Sequence, residues 1–596
     1  MVNYHVVHNP PSFETISLIG KATTVFDLIA WLSDKNKEKL NKNNFMEFLN
    51  RDLSKQRQGM AETMGFENHA SIYIAKQIAR KDKHSEIILT DGRKRKLSDA
   101  IKKQKPKAVW ITCLSSNFAS AVADAIVLNH GKIPVIIGGI HVSVSPEDVD
   151  TYIRNQVPYP KLISIVQGPA DSDVIKKIIL DLNKNKLKKS YVGLRTIENG
   201  VWKQTKNISF IEKRNPKIFK KLPIIGSWLS KNIIINSAVP YSGCPYNCSF
   251  CSISGLLRSQ RKFIMRTPKD FVEELESYQK NKPNLKNRYF LFLPDNLLLG
   301  GKKLEEILDL IIKSNLKINW TAQVSINVAE NEKLLKKMRA AGCSQLFIGF
   351  ESLDIRNLKF VNKNIVRNIE KSRLNVKDYY SNLIKKIQNQ GIGIVASFII
   401  GLPYDKFISL NNHTGKDIAD FCIKHKIILQ PSSYTYLPGS QDFKKAQKNK
   451  TFIYGRKGSI EYLLSLSSAD LTETNKTSQG LSPLVVSYMA YDSAEKTGTL
   501  KNIIKIALHI SKKSFQYPTQ RAKTSFKERV HDSFFGFFSQ LFGFQYYYQM
   551  KAAAYPKKDI DGFFERFYEI EKNKKTKKIF KNYTERFKRF SFLLKA

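Results

Sequence analysis

Apolar and polar positions alternate along this chain in two distinct rhythms. "AVWITCL" (108–114), "IPVIIGG" (133–139) and "LISIVQG" (162–168) are continuous apolar, β-branched runs. That is the pattern of parallel strands buried on both faces. Between the first two, "NFASAVADAIVLNHG" (117–131) predicts a helix ending at Gly131, and "DSDVIKKIILDLNK" predicts another after the third. Strand and helix in strict turn predict a doubly wound, Rossmann-like parallel sheet over residues 1–185. Residues 186–230 are polar, basic and irregular, and read as a linker.

A second series occupies residues 231–445. Its candidate strands are "IIINSAV", "RYFLFLPD", "INWTAQVS", "QLFIGFES", "IGIVASFIIG" and "ILQPSSYTYL". Amphipathic stretches such as "PKDFVEELESYQK" and "KLEEILDLIIKS" lie between them. Six such units predict a partial (βα)6, TIM-like barrel, whose chemistry belongs at the carboxyl ends of its strands. Residues 446–596 lose the alternation and predict a mostly α-helical domain. Within it "FFGFFSQLFGFQYYYQM" (534–550) is too short to cross a bilayer. It reads as a helix buried on the barrel, or as an interfacial membrane helix or a lid over an apolar substrate.

Composition changes the picture little. A chain of 596 residues exceeds one core, as the four segments already imply. The formal net charge of +46 is spread along the chain with mild enrichment near its end. A solvated basic surface, RNA and anionic lipid all stay open as explanations. The start lacks the basic-then-apolar order of a signal peptide. Thiols that are not paired into a disulfide framework point to a cytosolic setting, with membrane association still open.

The chemistry gathers in "YSGCPYNCSFCSIS", where Cys244, Cys248 and Cys251 follow the first barrel strand. Structural zinc needs four ligands, usually as two separated pairs, and no second pair is in view. Cys113, Cys343 and Cys422 stand alone and read as small buried hydrophobes. A [4Fe–4S] cubane usually has four cysteine ligands, so three thiolates would leave one iron open.

This Cys-x3-Cys-x2-Cys segment, with the aromatic Phe250 before its last cysteine, resembles the signature of the radical S-adenosylmethionine (SAM) enzymes. The resemblance implies that the three cysteines hold a [4Fe–4S] cluster and that SAM chelates the open iron. One electron would then split SAM into methionine and a 5′-deoxyadenosyl radical. It also implies an electron donor such as a flavodoxin or ferredoxin. By the same resemblance, Pro294 and Asp295 after the second strand face the methionine moiety. Gln323 and Ser325 follow the third strand, and Glu351 after the fourth meets the ribose hydroxyls. Gly401 after the fifth lets backbone approach the adenosine, and Phe250 touches the adenine.

A doubly wound sheet ahead of the barrel is similar to the cobalamin-binding subgroup of that family. "VIIGGIHVSVSPEDV" (135–149) resembles the subgroup's segment and places Gly138, Gly139 and His141 beside the corrin. The Asp-x-His-x-x-Gly motif that supplies histidine to cobalt in many cobalamin proteins is missing, and "WITCLSSNF" (110–118) stands in its place. The implied function is cobalamin-dependent methylation of an unactivated carbon in a small molecule; the aromatic stretch 534–550 leans that substrate toward an apolar or membrane-derived one. Two alternatives remain: a radical enzyme with an empty front domain and another outcome, and an RNA-modifying radical enzyme. The RNA branch is disfavoured, because its front domain carries extra cysteines and this one has Cys113 alone.

Overall fold

The computed structural model describes residues 3–10, 69–91, 97–101, 105–193, 199–202, 208–210, 235–256, 263–281, 289–449, 481, 483–523 and 525–540. Two parallel sheets dominate these residues, and the fold is mixed α/β. The front sheet contains β1 (Asn3–Asn9), β2 (Ser85–Asp91), β3 (Ala108–Thr112), β4 (Val135–Gly138), β5 (Ile163–Gln167), β6 (Ser190–Val192) and β7 (Ile208–Phe210). Their spatial order is β6-β5-β4-β3-β1-β2-β7, and every pairing is parallel. The chain leaves β1 toward β2 on one side and continues from β3 on the other. Connections therefore reverse direction between β1 and β3, where a doubly wound sheet opens a crevice at its carboxyl edge.

Helix Phe118–His130 is buried along most of its length against this sheet, through Phe118, Val122, Ile126 and Leu128. Helix Ser172–Asn183 begins at Asp171, whose carboxylate accepts from the Asp173 and Val174 amides at 3.1 and 2.9 Å. Two short strands fall inside the stretch read as a linker. β6 and β7 complete opposite edges of the sheet, so the front unit extends past residue 185.

The second sheet takes its strands consecutively: β8 (Ile235–Ala238), β11 (Tyr289–Phe292), β12 (Asn319–Val324), β13 (Cys343–Glu351), β14 (Gly393–Ile400) and β17 (Ile428–Ser433). All five pairings are parallel, the arrangement of a partial (βα)6 barrel. Two small hairpins decorate it: β9 (Tyr241–Ser242) with β10 (Ile264–Met265), and β15 (Phe407–Ser409) with β16 (Asn412–His413). Trp320, Ala322 and Val324 of β12, and Leu346, Ile348 and Phe350 of β13, pack outward under the helices. The alternate positions, Thr321, Gln323, Phe347 and Gly349, therefore face the inner side.

Three helices follow: Pro483–Thr497, Leu500–Gln516 and Phe526–Gln540. The last two fill the amino-terminal half of the inner side. Tyr289 stacks on Phe535 with ring centres 4.0 Å apart. Arg521 donates to Asn319 Oδ1 at 3.1 Å and to Asp532 Oδ1 at 2.6 Å. Ile506 packs with Val395, Ile428 and Phe347. A side chain on Gly393 would run into Gln540. This floor leaves the carboxyl mouth as the open end. Of the aromatic stretch 534–550, residues 534–540 lie in the last helix, with Phe535 and Phe538 buried; 541–550 lie outside the described residues.

Candidate functional site

The three cysteines occupy the turn between β9 and β10, at the carboxyl mouth. None of the three is in a disulfide, and all are half-buried. Gly243, at φ +108°, turns the chain into this segment, and its amide donates to the Asp295 carboxylate after β11. Farther along, the Ser249 amide donates to the Val361 carbonyl at 3.1 Å, and the Ser249 hydroxyl donates to Asp442 at 2.8 Å. Asn362 Nδ2 donates to the Asn247 carbonyl at 3.0 Å. The turn is thus pinned from three neighbouring loops through its backbone and Ser249.

Burial pushes the Cys248 and Cys251 thiols up; Lys363 opposes this at Cys248, whereas Cys244 and Asp295 add to it at Cys251. Among the described residues, no three His, Cys, Asp or Glu groups close to the spacing of a single metal ion. A cubane differs, because each thiolate holds a different iron and the ligands stand farther apart. A turn with three thiols outside any disulfide, held by its backbone and Ser249, fits such a cluster.

Around the turn, the structure gathers part of the predicted set. Glu351 ends β13 at φ +62°, beyond a bulge, and pairs with Lys363 at 2.6 Å. Burial pulls the Lys363 ammonium down, but Glu351 and Cys248 outweigh it and hold it above its ordinary value. A Cβ on Gly349 would lie 2.3 Å from Glu351 Oε1 and 3.0 Å from Lys363 Nζ, so glycine there makes room for the pair. Phe250 packs against Leu402, Ile399 and Tyr434, next to Gly401. Ser325 is tied to Asn296, which donates to its hydroxyl at 2.8 Å. Pro294 is buried, and Gln323 stays exposed on the inner side.

Two predicted residues also make packing contacts. Gly401 has φ +99°, and a Cβ there would strike Val486 at 2.8 Å. Its missing side chain makes room for helix Pro483–Thr497. His141 is fully buried. Its ring lies 3.9 Å from that of Phe118, with Ser115 Oγ 3.1 Å from Nδ1 and Asp148 Oδ2 3.4 Å from Nε2. It therefore ties helix Ile140–Val144 to the segment after β3 and to helix Glu147–Tyr152. Gly138 and Gly139 do end β4 at the carboxyl edge. A Cβ on Gly139 would lie 2.1 Å from the Cys113 carbonyl, so glycine permits the close passage of two chains.

Sequence reasoning missed Lys363, Asp442 and Asn357, which join the site through space. Asp405 was missed as well, although it lies just past the carboxyl end of β14. It is buried, accepts from the Gly401 and Leu402 amides at 2.7 and 3.0 Å, and accepts from Asn357 at 2.8 Å. Burial, against those donors, pushes its acid up to about 7. The folded state therefore holds this proton after the unfolded chain has lost it. The stability it contributes is full below about pH 4 and is lost as pH rises through about 7. Asp405→Asn should flatten the dependence of melting temperature on pH between 5 and 8; an unchanged slope would refute this assignment.

The front unit meets the barrel beside the cysteines. A Cβ on Gly439, after β17, would lie 2.7 Å from Val144 Cβ, and one on Gly255, four residues past Cys251, would lie 2.1 Å from the Gly439 carbonyl. Phe443 joins the front core, and Tyr436 packs on it. The carboxyl edge of one sheet is therefore stacked on the carboxyl mouth of the other.

Residues 238–411 match the Radical SAM superfamily. The chain carries a radical SAM domain. Around this domain, the chain is similar to the bacteriochlorophyllide d C-8(2)-methyltransferase of Chlorobaculum tepidum, 28% identical over 52% of this chain and 61% of the relative. It is also similar to the hopanoid C-2 methylase of Rhodopseudomonas palustris, 23% identical over 37% of this chain and 40% of the relative. The matched stretches thus span less than two thirds of these relatives. A solved structure of the cobalamin-dependent SAM radical enzyme OxsB, with aqua-cobalamin and SAM bound, superposes at a TM-score of 0.50. It covers 98% of this chain and 83% of that one at 12% identity, a likeness of fold. The matched residues run from the last residue of β8 through β15 and contain the cysteine turn.

Proposed function

We propose that this chain is a radical SAM enzyme that methylates an unactivated carbon of a small, apolar molecule, with cobalamin as methyl carrier. The carrying observation is the stacking of the front sheet's carboxyl edge on the turn that follows Cys251, through Val144, Gly439 and Gly255. A cobalamin on that edge would meet the space above the cysteines. The relatives named for methyl transfer to bacteriochlorophyllide and hopanoid carbons agree in reaction class and in the apolar character of their substrates.

When bound, the cluster supplies one electron to split SAM, and cobalamin supplies the methyl-bearing cobalt. The chain's own groups position and seal. Cys244, Cys248 and Cys251 ligate the iron. Asp295 and Asp442 hold the turn at its two ends. Glu351 and Lys363 set a charged pair beside it, and Phe250 with Leu402 forms an apolar wall. Asp295, Gln323, Ser325 and Glu351 offer polar groups to SAM, with Pro294 shaping the Asp295 loop. At the front edge, Leu114 is 55% exposed and lies two residues past β3, while Gly138 and Gly139 present backbone. The Gly138–Gly139 corner carries no side chains, which leaves room for a broad, flat ligand. Reduction would come from a flavodoxin- or ferredoxin-type donor.

The test is anaerobic reconstitution of the full chain with iron, sulfide and hydroxocobalamin, followed by SAM and a reductant. Expected are one cubane and one retained cobalt per chain, with 5′-deoxyadenosine and S-adenosylhomocysteine found by mass spectrometry. A cubane without retained cobalt would remove the cobalamin half; zinc in place of a cubane would remove the whole reading. Gly439→Val, which pushes Val144 away, should cut cobalt retention at least tenfold while the cubane still forms; equal retention would break the link to the stacked edges.

A further inference from the structure

Helices Leu500–Gln516 and Phe526–Gln540 use their inner faces fully. Ile503, Ile506, Ala507 and Ile510 of the first are buried, as are Asp532, Phe535 and Phe538 of the second. The two cross closely, with Ser511 Oγ and Ser533 Oγ 2.9 Å apart. Their outer faces should then be polar, as on an ordinary surface helix. They are not. Leu500, Leu508 and Phe526 are 63%, 57% and 75% exposed, and Val530 and Phe534 are each 46% exposed.

These positions follow helical spacing. Leu500, Ile504 and Leu508 recur every four residues on one helix, and Phe526, Val530 and Phe534 do so on the other. Phe515 and Phe526 join the stripes, with ring centres 6.3 Å apart, and Arg529 lies 5.6 Å over the Phe515 ring. Lys501, Lys505 and Lys512 are exposed beside the first stripe, and Lys527 beside the second. Helix Leu500–Gln516 contains no acidic residue. On the second helix Asp532 is buried, and Glu528 is drawn inward to Arg521 at 3.3 Å.

We propose that this two-helix face docks on an anionic membrane surface. The apolar stripes would enter the boundary between headgroups and acyl chains, and the lysine row would lie among the anionic headgroups. An isologous dimer through the same face would bring two lysine rows toward each other, which disfavours a second copy as occupant. No helix among the described residues is long and apolar enough to cross a membrane, so the contact is peripheral. This inference does not depend on the radical chemistry. It places the barrel floor against the bilayer and leaves the cysteine mouth at the opposite end.

The test is co-sedimentation of the full chain with phosphatidylcholine vesicles, with and without phosphatidylglycerol. Expected is at least tenfold stronger partition to the anionic vesicles, weakening with salt. Leu508→Gln/Phe526→Gln/Val530→Gln should lose at least tenfold of it. Lys501→Glu/Lys505→Glu/Lys512→Glu should bind the two vesicle types alike. All six sites are exposed, so an unchanged melting temperature is expected and keeps the comparison fair. Three outcomes would each overturn the proposal: no partition of the natural chain, equal partition of the apolar triple variant, or a dimer in solution that the apolar substitutions dissolve.

Discussion

Cys248→Ala should remove the cubane signal from the reconstituted chain and reduce 5′-deoxyadenosine by at least a thousandfold, while the fold survives. Cys248 is the middle thiol of the turn, and alanine leaves two ligands for a cluster that already lacks a fourth. The turn itself does not depend on that sulfur. Its anchors are the Gly243 amide on Asp295, the Ser249 hydroxyl on Asp442 and Asn362 on the Asn247 carbonyl. The melting temperature of the metal-free chain should therefore move little. Cys343→Ala is the contrasting substitution. Cys343 is fully buried in the outer core, and its loss should cost about 1–2 kcal/mol of stability without touching the cluster. If the Cys248 variant kept an intact cubane by absorbance and electron paramagnetic resonance, the ligand assignment would be wrong.

How far the sequence carried this reading depends on whether a signal is local. β3, β4 and β5 are short apolar runs with both faces buried, so their pattern is visible without context. β1, "NYHVVHN", was missed because a histidine interrupts the run. In the fold His5 is fully buried, accepts from Trp110 Nε1 at 3.2 Å and lies 3.8 Å from Asp82. A polar residue satisfied by distant partners looks like a loop residue until those partners are placed. β6 and β7 are three-residue edge strands in a basic stretch, too short to show any period. The cysteine turn was legible because three ligands crowd eight positions. Glu351 and Asp295 were legible as polar residues after strands, but their immediate partners were not. His141 and Gly401 were assigned from sequence likeness to ligand contact. In the fold they also pack against Phe118 and Val486, contacts that no local pattern marks.

Lys363 illustrates the hardest case, since nothing near "VNKNIV" marks it, and it leads to the second large expected effect. Its ammonium sits 2.6 Å from Glu351 in the space that Gly349 leaves, and its segment is bonded to the cysteine turn through Val361 and Asn362. Cys248 and Cys251 both feel its charge. A fixed cation beside a cluster favours the more negative, reduced state. At an effective dielectric near 20, one unit charge roughly 8 Å away is worth about 2 kcal/mol, or about 90 mV for a one-electron couple. Lys363→Met should therefore lower the cluster midpoint potential by roughly that amount in a redox titration followed by electron paramagnetic resonance. It also leaves the Glu351 carboxylate buried without its cation, a loss of about 3–5 kcal/mol of stability. Lys363→Arg keeps the charge and should recover most of the potential. The double change Lys363→Met/Glu351→Gln separates the two effects, because it removes the orphaned carboxylate and restores stability. Since the cation was opposed by that carboxylate, the double variant should have a potential between those of the natural chain and the single variant. A cluster that forms normally and titrates at one potential in all four proteins would show that the pair serves only the fold.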